Sequence, residues 1–313
     1  MPFASIGRST PAVVFIAMLL VAASLLWGVY DNYVSVSSFQ KELAAHAAQD
    51  AAQEIADIIQ RRRTEVARLA EGRGTILTRL AADPGNRELQ AYMEGVLKDR
   101  FRDYYAFSLA TQAGELLTDL GEDISDVCRQ DLRRFAAGDT PYRPYVHPTP
   151  GHYHYDIMVR WRDGYDNGIL FISFTLDRLA VELRSNQVPG HRLSLVRANA
   201  AGLIEITAEG GRDRLGEHMH MTGAELERNA AMGASASVQG TDWLVVDIPD
   251  ARLLEEPLTK MYWQAAGIVG VFLILGGGAG ALCPAGYAAP GRTCGAPGET
   301  SAEPGATGQG THP

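Results

Sequence analysis

Three histidines lie close together at His147, His152 and His154, interleaved with Tyr153, Tyr155 and Asp156. Side chains alternate along a strand, so on a strand His152, His154 and Asp156 share one face. Two imidazoles and a carboxylate are a zinc-type donor set. Imidazoles titrating near neutrality are also a pH-sensing set. The same residues serve equally as polar lining of a small-ligand pocket or as the polar face of a strand, and these readings outrank metal. No metal is therefore expected; His152 and His154 are the residues that would hold one. A second cluster, His218-Met219-His220-Met221, suits a soft metal such as copper. It has no partner set in view and reads as a surface loop. Arg160-Trp161-Arg162-Asp163 ahead of Gly164 reads as a solvated turn. Cys128 falls within a short predicted helix and has no obvious thiol partner, since Cys283 and Cys294 come at or beyond the last apolar stretch. It reads as a buried structural cysteine.

No Ser/His/Asp set, paired-carboxylate motif or nucleotide fingerprint is present. Gly276-Gly277-Gly278 follows no strand and is no phosphate loop. No catalytic residues and no cofactor are expected, and the chain does not read as an enzyme. Of its 313 residues, 46% are hydrophobic and 21% charged, with a net charge of −9. That composition fits neither a disordered chain nor a multi-span transporter. The negative charge argues against nucleic acid as a partner. Three cysteines cannot build a disulfide framework.

The elements that must position these residues lie between two apolar stretches. Pro11 to Tyr30 carries no charged side chain over about 20 residues, the span of a bilayer core. It ends in Trp27, Tyr30 and Tyr33, the aromatics of a membrane interface. It is longer than a signal-peptide core, so residues 11–30 read as an uncleaved transmembrane helix. Residues 261–282 read as a second, edged by Met261, Tyr262 and Trp263. Arg8 precedes the first span and Asp31 follows it, which places residues 1–10 in the cytoplasm. For a bacterium, 31–260 is then periplasmic and the chain sits in the inner membrane.

Within that region a long amphipathic helix is predicted over Ser37 to Leu80 (37–82 with its end). Phe39, Leu43, Ala47, Ala51, Ile55 and Ile59 recur every four residues. Its alanine-rich face invites close packing, with a homodimer favoured over the chain's own domain. Asp83-Pro84-Gly85-Asn86 breaks it, and a helix near Arg87 to Asp103 follows. Tyr104 to Leu109 and Glu115 to Thr118 around Gly114 predict a hairpin. Ser125 caps a helix ending at Gly138, followed by a loop from Thr140 to Gly151. Strands Tyr153 to Trp161 and Gly168 to Phe174 and a short helix Asp177 to Arg184 complete a module over 87–184. A second module over 189–250 has strands His191 to Val196, Leu203 to Thr207, Ala234 to Val238 and Asp242 to Ile248, with a helix near Gly223 to Ala231. The class is α+β. From Pro284 the chain is rich in Gly, Pro and Ala, without Leu, Ile, Val or Phe, and 283–313 reads as disordered. This change of character raises the expectation that an output domain was lost, by a frameshift.

The long helix leaving the first span, the turn at Gly114 and the segment Gly168-Ile169-Leu170-Phe171-Ile172-Ser173-Phe174-Thr175-Leu176-Asp177-Arg178-Leu179 resemble the periplasmic sensor regions of the Cache family. These PAS-like regions sit between two spans in chemoreceptors, histidine kinases and membrane diguanylate cyclases. The resemblance covers Ser37 to Lys260. It implies a long helix followed by one or two PAS-like antiparallel sheet modules, and a small ligand bound by the membrane-distal one. Tyr142-Arg143-Pro144-Tyr145 resembles the family's arginine-and-aromatic patch. The candidate ligand-binding residues are therefore Arg143, Tyr145, Tyr153, Tyr155 and Asp156. The amino-acid-binding branch expects an aspartate where Ser173 stands, so an amino acid is not the expected ligand. Arg143 can still clamp a carboxylate. The chain is expected to be a membrane-anchored sensor that passes a conformational signal across the membrane. By the same resemblance, the lost output domain would be a diguanylate cyclase or a kinase. The alternative is a non-sensory scaffold that binds another envelope protein.

Overall fold

The computed structural model describes residues 10–118, 124–138, 142–147, 153–198, 202–211, 220–231 and 234–281. The chain falls into two units, Met1–Ala23 with Ala266–Pro313, and Ser24–Ala265. The described residues of the first unit are helical and expose large apolar side chains such as Phe15, Ile16, Leu20, Leu273 and Ile274. The helices that carry them, α1 (Thr10–Gly72) and α7 (Ala251–Ala281), are long and apolar enough to cross a membrane. The expected disordered tail lies outside the described residues, as do His152, His218 and Met219.

The second unit is α+β, as the sequence predicts. After α1 come α2 (Gly74–Ala82), α3 (Arg87–Arg100), β1 (Tyr104–Ala110), α4 (Asp126–Ala137), β2 (Tyr155–Asp163), β3 (Asp166–Phe174) and α5 (Asp177–Asn186). Then follow β4 (His191–Arg197), β5 (Ile204–Thr207), β6 (Gly210–Gly211), α6 (Gly223–Ala231), β7 (Ser235–Ser237) and β8 (Trp243–Pro249). Two antiparallel sheets form, of order β1-β3-β2 and β6-β5-β4-β8-β7. Every residue of β3 from Gly168 to Phe174 is buried, because this central strand is covered on both faces and its apolar run is continuous.

From Ala47 onward the four-residue repeat on α1 is spent inside the chain, while Phe39 at its start is exposed. Ala47, Ala48, Ala51, Ala52, Ile55, Ala56 and Ile59 belong to one core with Leu109, Leu170, Ile172, Leu195 and Val245. The alanine face expected to receive a second subunit thus packs on the chain's own sheets. Three further details depart from expectation. The helix predicted to reach Leu80 divides at Arg73, whose φ of −122° and ψ of 17° interrupt it. Glycines flank that residue on both sides, and glycine weakens a helix. A Cβ at Gly74 would stand 3.1 Å from Asp163 Cβ, so β2 also crowds the break. The α1 helix runs without interruption from the first apolar stretch, where the sequence suggests two pieces. The predicted hairpin at Gly114 forms in abbreviated form. Glu115 to Thr118 folds back on β1 through Thr111 N donating to Glu115 O and Leu117 N donating to Leu109 O, both at 2.8 Å, around the bridge of Ala110 to Leu116, while the full ladder of β1 is with β3. The Thr118 side chain caps this stub by accepting from Leu109 N at 2.9 Å.

Candidate functional site

The segment 142–147 between α4 and β2 carries Arg143, Tyr145 and His147 and is held from several sides. Arg63 of α1 donates through Nη2 to Tyr142 O at 3.0 Å and to Gly240 O at 2.9 Å. Asp242 N, beside β8, donates to Pro144 O at 3.2 Å. Val146 N donates to the buried carboxylate of Glu205 on β5 at 3.0 Å. The indole of Trp243 donates to the same Glu205 oxygen at 2.7 Å. One short segment therefore joins the helix and both sheets.

On its outer side lies an open groove of about 340 Å³ lined by Asp131, Arg134, Phe135, Tyr142, Arg143, Tyr145 and Asp242. This is within the size range of small-molecule pockets. Arg143 is well exposed, and its guanidinium reaches only to 3.9 Å from Asp242. The Arg197 guanidinium lies 3.7 Å over the Tyr145 ring. Burial, followed by the Asp131 carboxylate, pushes the Tyr145 hydroxyl up to about 12. Arg143 and Tyr145 thus meet as the sequence anticipates. Tyr155 does not join them. It is fully buried and packs on Phe174 and Trp243 at ring separations of 5.5 and 6.0 Å. Tyr153 is partly buried against the main core and does not line the groove.

Asp156 and His154 do share a face, and they enter a second, buried constellation. Strand spacing places both on one side of β2's start. The bridge between His147 and His154, with His147 N donating to His154 O at 2.8 Å, lays the second imidazole beside the first. From α4, Cys128 and Asp131 project on one helix face because they are three residues apart. Ser125 caps that helix, its Oγ accepting from Cys128 N at 3.3 Å. The Cys128 sulfur then stands 2.9 Å from His147 Nδ1 and 3.4 Å from His154 Nε2. Asp156 Oδ2 is 3.0 Å from His147 Nδ1, and Asp156 Oδ1 is 3.5 Å from His154 Nε2. One donor atom from each of Cys128, His147, His154 and Asp156 lies within 4.8 Å of all the others. The surrounding contacts are polar or aromatic. Ser173 Oγ donates to Asp156 Oδ1 at 2.7 Å. Asp131 Oδ2 lies 3.2 Å from His147 Nε2, and Tyr105 stacks on His154 at 5.4 Å.

The electrostatics follow from this packing. Burial alone pushes the Cys128 thiol up, but bonds from His147 and His154 outweigh it and leave the thiol at about 7. Burial pulls His147 down, and the carboxylates of Asp156 and Asp131 raise it well above its ordinary value. Burial raises Asp156, and His147 pulls it below the usual carboxylate range. A thiol beside an imidazole and a carboxylate is the arrangement of an activated nucleophile. Cys128 is only 1% exposed. Sequence reasoning missed Cys128 and Asp131 as neighbours of the histidines. The spacing of Ser125, Cys128 and Asp131 marks one helix face, but nothing local says which strand that face meets.

No protein-family model matches the chain, and no curated protein matches it. Among solved structures, the chain is similar to outward-facing regions of signalling proteins. One is the extracellular domain named soHK1S-Z6, from a protein described as a histidine kinase, at 14% identity and a TM-score of 0.44. That alignment covers 72% of this chain and 99% of the other. A second is rpHK1S-Z16, an extracellular domain described in the same way, at 12% identity and a TM-score of 0.44, covering 71% and 98%. A third is the ligand-binding domain of the amino-acid chemoreceptor PctB of Pseudomonas aeruginosa PAO1, in complex with L-Arg. It shares 16% identity with a TM-score of 0.41, over 66% and 93% of the two chains.

Proposed function

We propose that the chain is a membrane-anchored sensor. Its two apolar helices span the bacterial inner membrane, and the α+β region between them faces the periplasm. A small ligand with a carboxylate or similar anionic group binds the groove beside Arg143, and the change passes to the spanning helices. The reading includes a homodimer.

The observation that carries this reading is the composition of the groove wall. Arg143 and Tyr145 come from the segment joined to the three-stranded sheet, while Asp242 adjoins β8 of the other. A ligand seated between them contacts α4, the 142–147 segment and the residue before β8, and biases the arrangement it fits better, by its differential affinity for the two states. Arg143 is the natural anchor, because a guanidinium binds a carboxylate in a bidentate fashion and its ion pair to Asp242 is long.

The test is thermal melting of the full chain in detergent, followed by circular dichroism, against a panel of small mono- and dicarboxylates. A ligand bound only by the folded chain stabilises it by about 2.7 kcal/mol at a hundredfold excess over Kd. A clear rise in Tm that Arg143→Ala abolishes is the expected result. No rise with any member of the panel overturns ligand binding in this groove and favours the scaffold reading.

A further inference from the structure

The constellation beneath the groove has a chemistry of its own. Four donor groups converge there from three places in the fold: a thiol on α4, imidazoles on either side of the 147–154 bridge, and a carboxylate on β2. All four side chains are buried. A tetrahedral ion with bonds of about 2.0–2.3 Å holds its donors about 3.3–3.6 Å apart. The approaches among these donor atoms, 2.9, 3.4 and 3.0 Å, are at or a few tenths of an ångström shorter than that spacing, and all four atoms lie within 4.8 Å of one another. Hydrogen bonding does not account for them all. Asp156 Oδ2 is fully enclosed and has no well-directed hydrogen bond, although His147 Nδ1 is only 3.0 Å away. A buried carboxylate oxygen whose facing nitrogen is poorly directed is incompletely satisfied, and a cation between the four donors removes that cost.

The outer contacts match as well. Metal-bound imidazoles commonly present their second nitrogen to a carboxylate, which fixes the ring. His147 Nε2 faces Asp131 Oδ2 at 3.2 Å, although neither atom makes a well-directed hydrogen bond. Ser173 Oγ occupies Asp156 Oδ1, which leaves Oδ2 as the ligand atom. Ser125 Oγ stands 3.2 Å from the Cys128 sulfur.

We propose that Cys128 Sγ, His147 Nδ1, His154 Nε2 and Asp156 Oδ2 form a four-coordinate site for a divalent metal ion of the zinc class. One thiolate, two imidazoles and one carboxylate are a borderline donor set, which suits zinc over magnesium or calcium. Binding replaces the thiol proton of Cys128 and the Nδ1 proton of His147, and both leave to solvent. Four protein ligands close the coordination sphere, as in structural sites, so the ion organises the fold and has no open position for chemistry. The site goes beyond the groove reading and adjoins the groove through Asp131, which faces His147, and Tyr145, whose ring lies 4.8 Å from the His147 ring.

The experiment measures metal content of the full chain in detergent, purified without an affinity metal, loaded with zinc and dialysed. The wild type is expected to hold one zinc per chain. Cys128→Ser and Asp156→Asn should each lower zinc affinity at least about tenfold, while Arg143→Ala retains the metal. Cobalt substitution adds a second measurement that needs no variant. A wild-type chain showing the strong visible bands of tetrahedral cobalt together with a thiolate-to-cobalt band supports the site. A folded wild type that takes up no zinc overturns it, as does zinc retained at full affinity in both ligand variants. Cobalt bound without a thiolate band also overturns it. Zinc retention with no carboxylate response leaves the metal site standing and removes the groove reading; the reverse outcome removes the metal site alone.

Discussion

Arg62 sits between two rings and a carboxylate. Its guanidinium lies 4.9 Å from the centroids of both Phe101 and Phe174. It donates twice from Nη2 to Asp103, at 2.6 and 2.8 Å. Asp103 is itself buried. Removing one partner of such a pair strands the other charge, which costs about 3–5 kcal/mol. Arg62→Ala is therefore expected to lower unfolding stability by about 3 kcal/mol in denaturant melts, near the low end because the arginine is partly solvated. Lys98→Ala breaks only the exposed Lys98–Glu94 pair and should cost no more than about 0.5 kcal/mol. A loss at Arg62 no larger than at Lys98 would show that the buried pair is not a stability element. At this scale the sequence was partly legible. The alternation of His154 and Asp156 announced a shared face, and it is there. Cys128 gave no such signal, because it lies 26 residues from His154 and meets it only through the packing of α4 on the sheet. Tyr155 looked like pocket lining because aromatic residues serve both pockets and cores, and only burial separates the two.

Between elements, the chain relies on polar ties that burial makes consequential. His191 at the start of β4 places Nδ1 2.9 Å from Asp247 of β8 and Nε2 2.9 Å from Gln40 of α1. Burial raises the Asp247 carboxyl above its ordinary value, with His191 and the Arg192 backbone opposing. A raised native value means that the folded state prefers the protonated form. The stabilising contribution of this group is then complete below the unfolded value near 4 and is lost as pH rises through the folded value. Asp247→Asn removes that dependence while keeping an acceptor for His191. The difference in Tm, variant minus wild type, should thus grow in favour of the variant as pH rises from about 4 to 6. A difference that is flat or falls with pH would contradict the assignment. Elements themselves were read well where caps and periodicity agreed. The α6 helix spans Gly223–Ala231 as predicted, and α4 lies between Ser125 and Gly138. The turn at Gly114 was legible because a glycine between two short apolar runs is a local signal, although its second arm is too short to form a strand. The partner of β1 is β3, some 60 residues later in sequence, and such pairing leaves no local trace.

Across the whole molecule, α1 is one continuous helix from Thr10 to Gly72, apolar at its start and alanine-striped where it enters the core. The same helix thus carries a membrane-length apolar segment and a large share of the folded region's interior. If both apolar helices span, the chain is expected to stay with membranes through high-salt and alkaline carbonate washes and to leave only with detergent. Release by carbonate would refute spanning. The two apolar segments were the plainest feature of the sequence, because a charge-free run of about 20 residues matches the thickness of a bilayer and exceeds what most buried core helices need. The groove was half legible. Arg143 and Tyr145 could be named from their pattern, whereas Asp131, Arg134 and Asp242 reach it from separate elements.

The bond from the Trp243 indole to Glu205 has an optical consequence. Glu205 also holds Val146 N, one residue before His147, so a ring that absorbs and emits light is tied through a single carboxylate to the segment bearing Arg143 and His147. Displacement of that segment alters the field at the ring and with it the colour of its emission. The chain has four tryptophans. Replacing Trp27, Trp161 and Trp263 with phenylalanine leaves Trp243 as a built-in fluorescent gauge of the segment, with no dye attached.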